Sequence, residues 1–254
     1  MPITVKPSQK REWARPDRRP RPTTAHPTAV HPTTARAATA VSLLLALGAV
    51  AYSAWVLEPF LGTGLSPVSS YVSELAARDQ PYSTLFRTTD LAAGLLILAG
   101  AGGALLWLPR RWGAVVGWAG LALFGAATVV DSRLAMSCAP TADAACAARE
   151  RAGLVPAAHA AHVVSSSVAA TGALVGMVVL TLAARRYGIL PSLASPPGLL
   201  LVLLELAATT WTLAAIAAFD AGYGMWALGA GQRLQVLLIA VWMGFLARSV
   251  VRRG

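Results

Sequence analysis

PGLLLVLLELAATTWTLAAIAAF, residues 197–219, holds a single ionisable side chain, Glu205. A bilayer core is crossed by about 20 residues of helix, and inside it every backbone N–H and C=O must be bonded within its own segment. A stretch of Leu, Ala and Val this long, with no turn residues in its interior, therefore reads as a transmembrane helix. Five more runs of the same kind occur, at about 37–57, 88–108, 112–130, 158–183 and 225–247. The sequence predicts an all-α polytopic membrane protein, a six-transmembrane-helix bundle. Composition agrees: of 254 residues, 56% are hydrophobic and only 13% charged, too little charge to cover a soluble surface.

The net charge of +10 is explained by where the basic residues stand. Eight Lys or Arg precede the first run, and Arg110, Arg111, Arg185, Arg186, Arg248, Arg252 and Arg253 fall on the same side, making fifteen of the 21. The other side carries Glu58, Glu74, Asp79, Asp90, Asp131, Asp143, Glu150 and Asp220. Basic loops stay in the cytoplasm, so both termini are expected there. Two Lys against nineteen Arg, with abundant Ala, suit a GC-rich bacterial genome, so the expected membrane is a bacterial plasma membrane. A nucleic-acid partner would need the charge on one face of a soluble fold, and is excluded. Trp55, Trp107, Trp112 and Trp226 stand at span ends, where interfacial anchors belong.

Residues 1–36 hold seven prolines and eight of the 21 basic residues. Proline at that density removes backbone donors and blocks helices, so this tail is expected to be a disordered cytoplasmic segment, with His26 and His31 solvated. Its charge suits anionic lipid head groups. It has no apolar signal-peptide core, so the first span is expected to act as an uncleaved anchor. Gly113-x-x-x-Gly117 and Gly172-x-x-x-Gly176 predict close helix contacts inside the bundle.

Two loops on the acidic side are long. In the first, residues 66–75 (SPVSSYVSEL) read as a short amphipathic helix capped by Ser66, lying on the membrane or plugging the bundle mouth. The second holds the only cysteines, Cys138 and Cys146. In an oxidising compartment these are placed to pair, the alternative being two free thiols.

Ionisable residues within spans mark pairs or pathways. Glu205 and Arg233 each stand about nine residues into adjacent spans, roughly 13 Å deep at 1.5 Å per residue, and are expected to form an intramembrane ion pair near Gln232 and Gln235. A second group gathers near the acidic-side boundary: Asp90, Asp131, His159, His162 and Asp220. His159, His162 and Ser166 share a helix face by spacing. Such carboxylates and imidazoles suit a divalent metal such as Zn, with His159, His162, Asp131 and Asp90 as ligands. They equally suit acid/base catalysis by Asp131, His159 and His162, with Ser73 as nucleophile or hydrogen-bond donor.

LSPVSSYVSEL at 65–75, RTTDLAAG at 87–94, Asp131 at a span end, His159 and His162 opening the next, and Gly231-Gln232-Arg233 resemble the bacterial membrane family called domain of unknown function 998. The resemblance covers about residues 40–250. It implies a six-span bundle of uncharacterised biochemical role, and by position it picks out Ser73, Glu74, Asp90, Asp131, His159, His162, Gln232 and Arg233. Val129-Val130-Asp131 lacks the Pro-x-Asp that some members carry there. Three roles remain open: a metal-assisted hydrolase or transferase acting on a lipid or envelope small molecule, a small-molecule binder or transporter, and a membrane scaffold or regulator.

Overall fold

The computed structural model describes residues 1–3 and 32–251. Residues 4–31 of the expected disordered tail, with His26 and His31, lie outside the described residues. Its last five, 32–36, are not disordered but open the first helix, with Pro32 at the start, where proline is tolerated. Among those described, all regular secondary structure is helical, and six helices are long and apolar enough to cross a membrane. The protein is a multi-pass membrane protein.

Helix α1 spans Pro32–Tyr52 and continues through a 3-10 turn, Ala54–Leu57, into the single turn α2, Glu58–Leu61. A second 3-10 turn, Val72–Ala76, precedes α3 (Ser83–Trp107) and α4 (Trp112–Asp131). The short α5 (Ala144–Arg151) leads to α6 (Ala157–Tyr187), the turn α7 (Pro191–Ala194), α8 (Pro196–Asp220) and α9 (Leu228–Val251). The long helices run on from one neighbour to the next: α6 packs on α4, α4 on α3, α3 on α1, α1 on α9 and α9 on α8. Between α8 and α6 the ring barely closes, leaving a seam.

Arg110 and Arg111 lie between α3 and α4, Arg185 and Arg186 end α6, and Arg248 ends α9. These mark one end of the bundle, here the arginine end. There Arg111 and Arg186 both stand over the Tyr187 ring, at 5.3 and 5.7 Å. Small residues hold α4 against α6. A Cβ on Gly172 would stand 2.7 Å from the Phe124 nitrogen, and one on Gly120 2.9 Å from the Gly176 nitrogen, so neither position admits a side chain. Gly113 and Gly117 meet Ala183 and Leu180 of α6, which places both expected glycine motifs inside the bundle. Phe124, Leu121, Leu180 and Trp242 fill the space between, and the Trp242 indole donates to Thr181 Oγ1 at 3.1 Å.

Two expectations fail on backbone geometry. The last helix begins at Leu228, three residues later than expected, because Trp226 and Ala227 sit in the left-handed region, with φ of 45° and 52°. A right-handed helix cannot include them. Residues 66–75 are not one helix either. Ser66 caps a turn, accepting from the Ser69 and Ser70 amides, and the chain then extends at Tyr71 (ψ 143°) before the 3-10 turn. Helix α9 causes the break: Arg233 takes the Ser70 carbonyl and Gln232 the Val72 amide, groups that a continuous helix would have used itself. The segment sits in the bundle mouth.

Candidate functional site

At the end opposite the arginines the connections are long and fold over the bundle. Cys138 and Cys146 are joined by a disulfide, so this is here the disulfide end. Glu74 is wholly buried, and both its oxygens accept from Thr141, one from the amide at 2.7 Å and one from the hydroxyl. Arg78 N donates to Met136 O at 2.9 Å. The first loop is thereby clamped to the second. Burial pushes the Glu74 carboxyl above its ordinary range, against the pull of the Thr141 bonds.

Arg233 does not meet Glu205. Its Nε and Nη2 both donate to Glu58 Oε2, at 2.9 and 2.6 Å, and its Nη1 donates to the carbonyls of Ser70 and Gly229. Depth explains the correction. Arg233 is five residues from the start of α9, about 8 Å, whereas Glu205 is fifteen from the same end of α8, about 22 Å at 1.5 Å per residue. Glu58, directly after the first span, was the acidic residue at the right level. The pair ties the first transmembrane segment to the last.

Beneath this cap lies a chamber of about 340 Å³. Asp90 from α3, Asp131 from α4, Glu150 from α5 and Asp220 from α8 line it, with His162 from α6. Tyr52, Trp55 and Tyr71 supply aromatic wall. Trp55 is thus no lipid-facing anchor: the 3-10 turn after Tyr52 swings its indole inward. Burial first, then the carboxylates Asp220, Glu150 and Glu74, push the Tyr71 phenol above its usual range. Among the described residues no Lys or Arg lines the chamber. Lining residues Val163 and Ser167 are themselves exposed on the outside of α6, so the chamber reaches the seam beside α8.

Asp131 Oδ1 accepts from the hydroxyls of Ser165 and, at 3.0 Å, Ser166, and stands 3.1 Å from His162 Nδ1. Ser166 Oγ is also 3.3 Å from His162 Nε2. The Ser166 hydroxyl thus hydrogen-bonds one ring nitrogen, while on the other side Asp131 stands close without alignment and His162 Nδ1 makes no hydrogen bond among the described residues. Without an aligned bond from His162 Nδ1 to the carboxylate, the linear relay from nucleophile to base is not formed. His159 turns elsewhere. Its Nδ1 accepts from Ser137, amide at 3.1 Å and hydroxyl at 2.9 Å, and its Nε2 stands 3.5 Å from Glu150. Fully buried, it braces the cap. Residues three apart on a helix differ by about 60° in direction, enough to send the two imidazoles to different places.

The expected metal set therefore does not assemble: among the described residues no three His, Cys, Asp or Glu side chains lie together as metal ligands. Ser73 lines the chamber but donates to the Met136 thioether at 3.7 Å, with no imidazole beside it. Asp90 lines the chamber and has no hydrogen-bond partner among the described residues.

The family model described as "Protein of unknown function (DUF998)" matches residues 45–249. The chain belongs to that family. No curated protein and no solved structure gives a match. The DUF998 match takes in every chamber-lining residue and both partners of the Glu58–Arg233 pair. Sequence reading missed Tyr52, Tyr71 and Glu150 as lining residues, and Ser165 as a partner of Asp131. Only Ser165, one turn beyond Ala161 on the chamber side of α6, carried a signal, as a small polar residue next to Ser166 in an otherwise apolar span.

Proposed function

We propose that this DUF998 protein binds the cationic head of a small amphiphile in a chamber open to the outside of a bacterial plasma membrane. The positive-inside rule sets the arginine end in the cytoplasm, with both termini, and the disulfide end outside, where a disulfide persists. The observation that carries the reading is the charge of the chamber: four carboxylates and one histidine face it, and no Lys or Arg among the described residues. Carboxylates in low dielectric call for a positive partner, and aromatic faces attract amines and quaternary ammonium groups. The seam between α6 and α8 gives an acyl tail a way out into the outer leaflet.

Binding is favoured over hydrolysis because no carboxylate is aligned on His162 Nδ1 to orient that imidazole as a base, and Asp131 is instead taken up by the Ser165 and Ser166 hydroxyls. The test is titration of the protein in nanodiscs with dodecyltrimethylammonium, dodecyl sulfate and a neutral dodecyl glycoside, read by tryptophan fluorescence. The cation should bind tightest, and Asp131→Asn should weaken it about tenfold, the effect of one lost charge contact of about 1.4 kcal/mol. Equal binding of all three, unaltered by Asp131→Asn, would remove the proposal.

A further inference from the structure

Below the chamber is a polar group that the cation-binding reading does not use. Glu205 sits nine residues from the arginine end of α8 and fifteen from the disulfide end, near the bilayer middle. Its side chain is wholly buried. Oε1 accepts one long bond, from Thr209 Oγ1 at 3.3 Å, and Oε2 has no partner among the described residues. Thr209 Oγ1 in turn accepts from Gln235 Nε2 at 2.9 Å, and Gln235 lines the chamber. A polar thread thus runs from the chamber floor to a carboxyl with an unfilled oxygen.

Among the described residues no cation answers that carboxyl. Helix α8 packs on α9, on α7 and lightly on α6. Helix α9 brings Arg233, committed to Glu58, and Arg248 at the arginine end. Helix α6 brings His159, held by Ser137 and Glu150, His162, held by Asp131, and Arg185, Arg186 and Tyr187 at the arginine end. Helix α7 has no titratable group, and α8 itself adds only Asp220 at its far end. Tyr52, on α1, lies within reach of the Glu205 charge. Among the described residues none of these bonds to Glu205.

We propose that Glu205 is a proton-binding site in the middle of the bilayer, filled and emptied from the chamber along Gln235 and Thr209. An unpaired carboxylate in hydrocarbon is strongly disfavoured, whereas a carboxyl that holds a proton is tolerated there, and such groups mark proton pathways. The proposal rests on the chamber being open to water, and does not depend on what the chamber binds.

The experiment uses the full-length protein in nanodiscs and dicyclohexylcarbodiimide, an apolar reagent that takes up carboxyls in their protonated form. The carboxyl oxygen bonds to the central carbon and the proton passes to nitrogen. Peptide mapping of the wild-type chain, which needs no variant, should find the adduct on Glu205 at neutral pH and at least about tenfold less under alkaline conditions, as for a group losing its proton. Infrared spectra should show a protonated-carboxyl band that Glu205→Gln lacks. After an alkaline jump the band should decay at least about tenfold slower in Gln235→Leu, whose side chain cannot carry the thread. Adducts on Asp90 or Asp220 with Glu205 untouched would overturn the site, and an unchanged decay in Gln235→Leu would overturn the route. Dodecyltrimethylammonium binding, measured on the same wild-type samples, reads the chamber alone: if it fails while the Glu205 adduct forms, only the cation reading falls.

Discussion

The two ends of this bundle solve opposite problems. From the arginine end to the middle of the bundle, glycines let α4 and α6 touch backbone to backbone and Trp242 fills what remains. At the disulfide end, loops, buried ion pairs and polar clamps hold the helices apart around a space. One end is stabilised by having nothing between its helices, the other by the Glu58–Arg233 pair and the Glu74 clamp, whose partners are fixed around a chamber of further carboxylates. The contrast teaches where tolerance lies: small-residue contacts fail when anything is added, and charged contacts fail when one partner is taken away.

The largest effect is expected from leaving a charge unmatched at the disulfide end. Arg233→Leu should destabilise the protein by about 3–5 kcal/mol, while Glu58→Gln with Arg233→Leu should recover much of the loss, since neither charge is then stranded. Thermal unfolding in detergent measures both, and a double variant worse than either single would break the comparison. Next, Gly117→Leu should cost about 1–3 kcal/mol by forcing α4 from Leu180 of α6 near the arginine end, lowering Tm without altering cation binding in the chamber. Cys138→Ser opens a short loop and should cost about 2 kcal/mol, seen as faster hydrogen exchange in residues 132–156 and little change at the arginine end.

The smallest effect concerns pH. Glu74 is held above its ordinary range in the folded protein, so it binds its proton more readily folded than unfolded. Its contribution is fully present below the ordinary carboxylate range and fades as pH rises through the raised value. Exchange at the clamp, corrected for intrinsic pH dependence, should therefore quicken as pH rises, and Glu74→Gln should flatten that profile. A profile for Glu74→Gln as steep as that of the wild type would assign the pH response to another group.

The six spans were legible because run length and absence of charge are properties of each segment alone. Helix α4 was placed to within one residue, whereas the start of α9 was missed because the positive φ of Trp226 and Ala227 is imposed by the turn and carries no glycine to announce it. Partners across the ring were not legible. Arg233 meets Glu58 because α1 packs on α9, and nothing in either segment states that the first and last helices are neighbours. The chamber was legible in part: Asp90, Asp131, His162, Ser73 and Asp220 stood out as polar residues near one boundary, and all line it. His159 stood out equally and braces the cap, since spacing along a helix fixes direction only to within the breadth of a face. Tyr52 and Tyr71, aromatic and unremarkable in a greasy chain, gave no sign.

The Glu58–Arg233 tie bears on the order in which the chain is made. The two residues are 175 positions apart, so at ordinary synthesis rates Glu58 leaves the ribosome roughly 10–35 s before its arginine exists. Through that interval five spans have been delivered while the carboxylate after the first still lacks its counter-charge, which holds the head of the chain at the water boundary. The first helix can settle to its final level only when the sixth arrives, and a chain cut short before α9 lacks both the last wall of the ring and the group that seats the first.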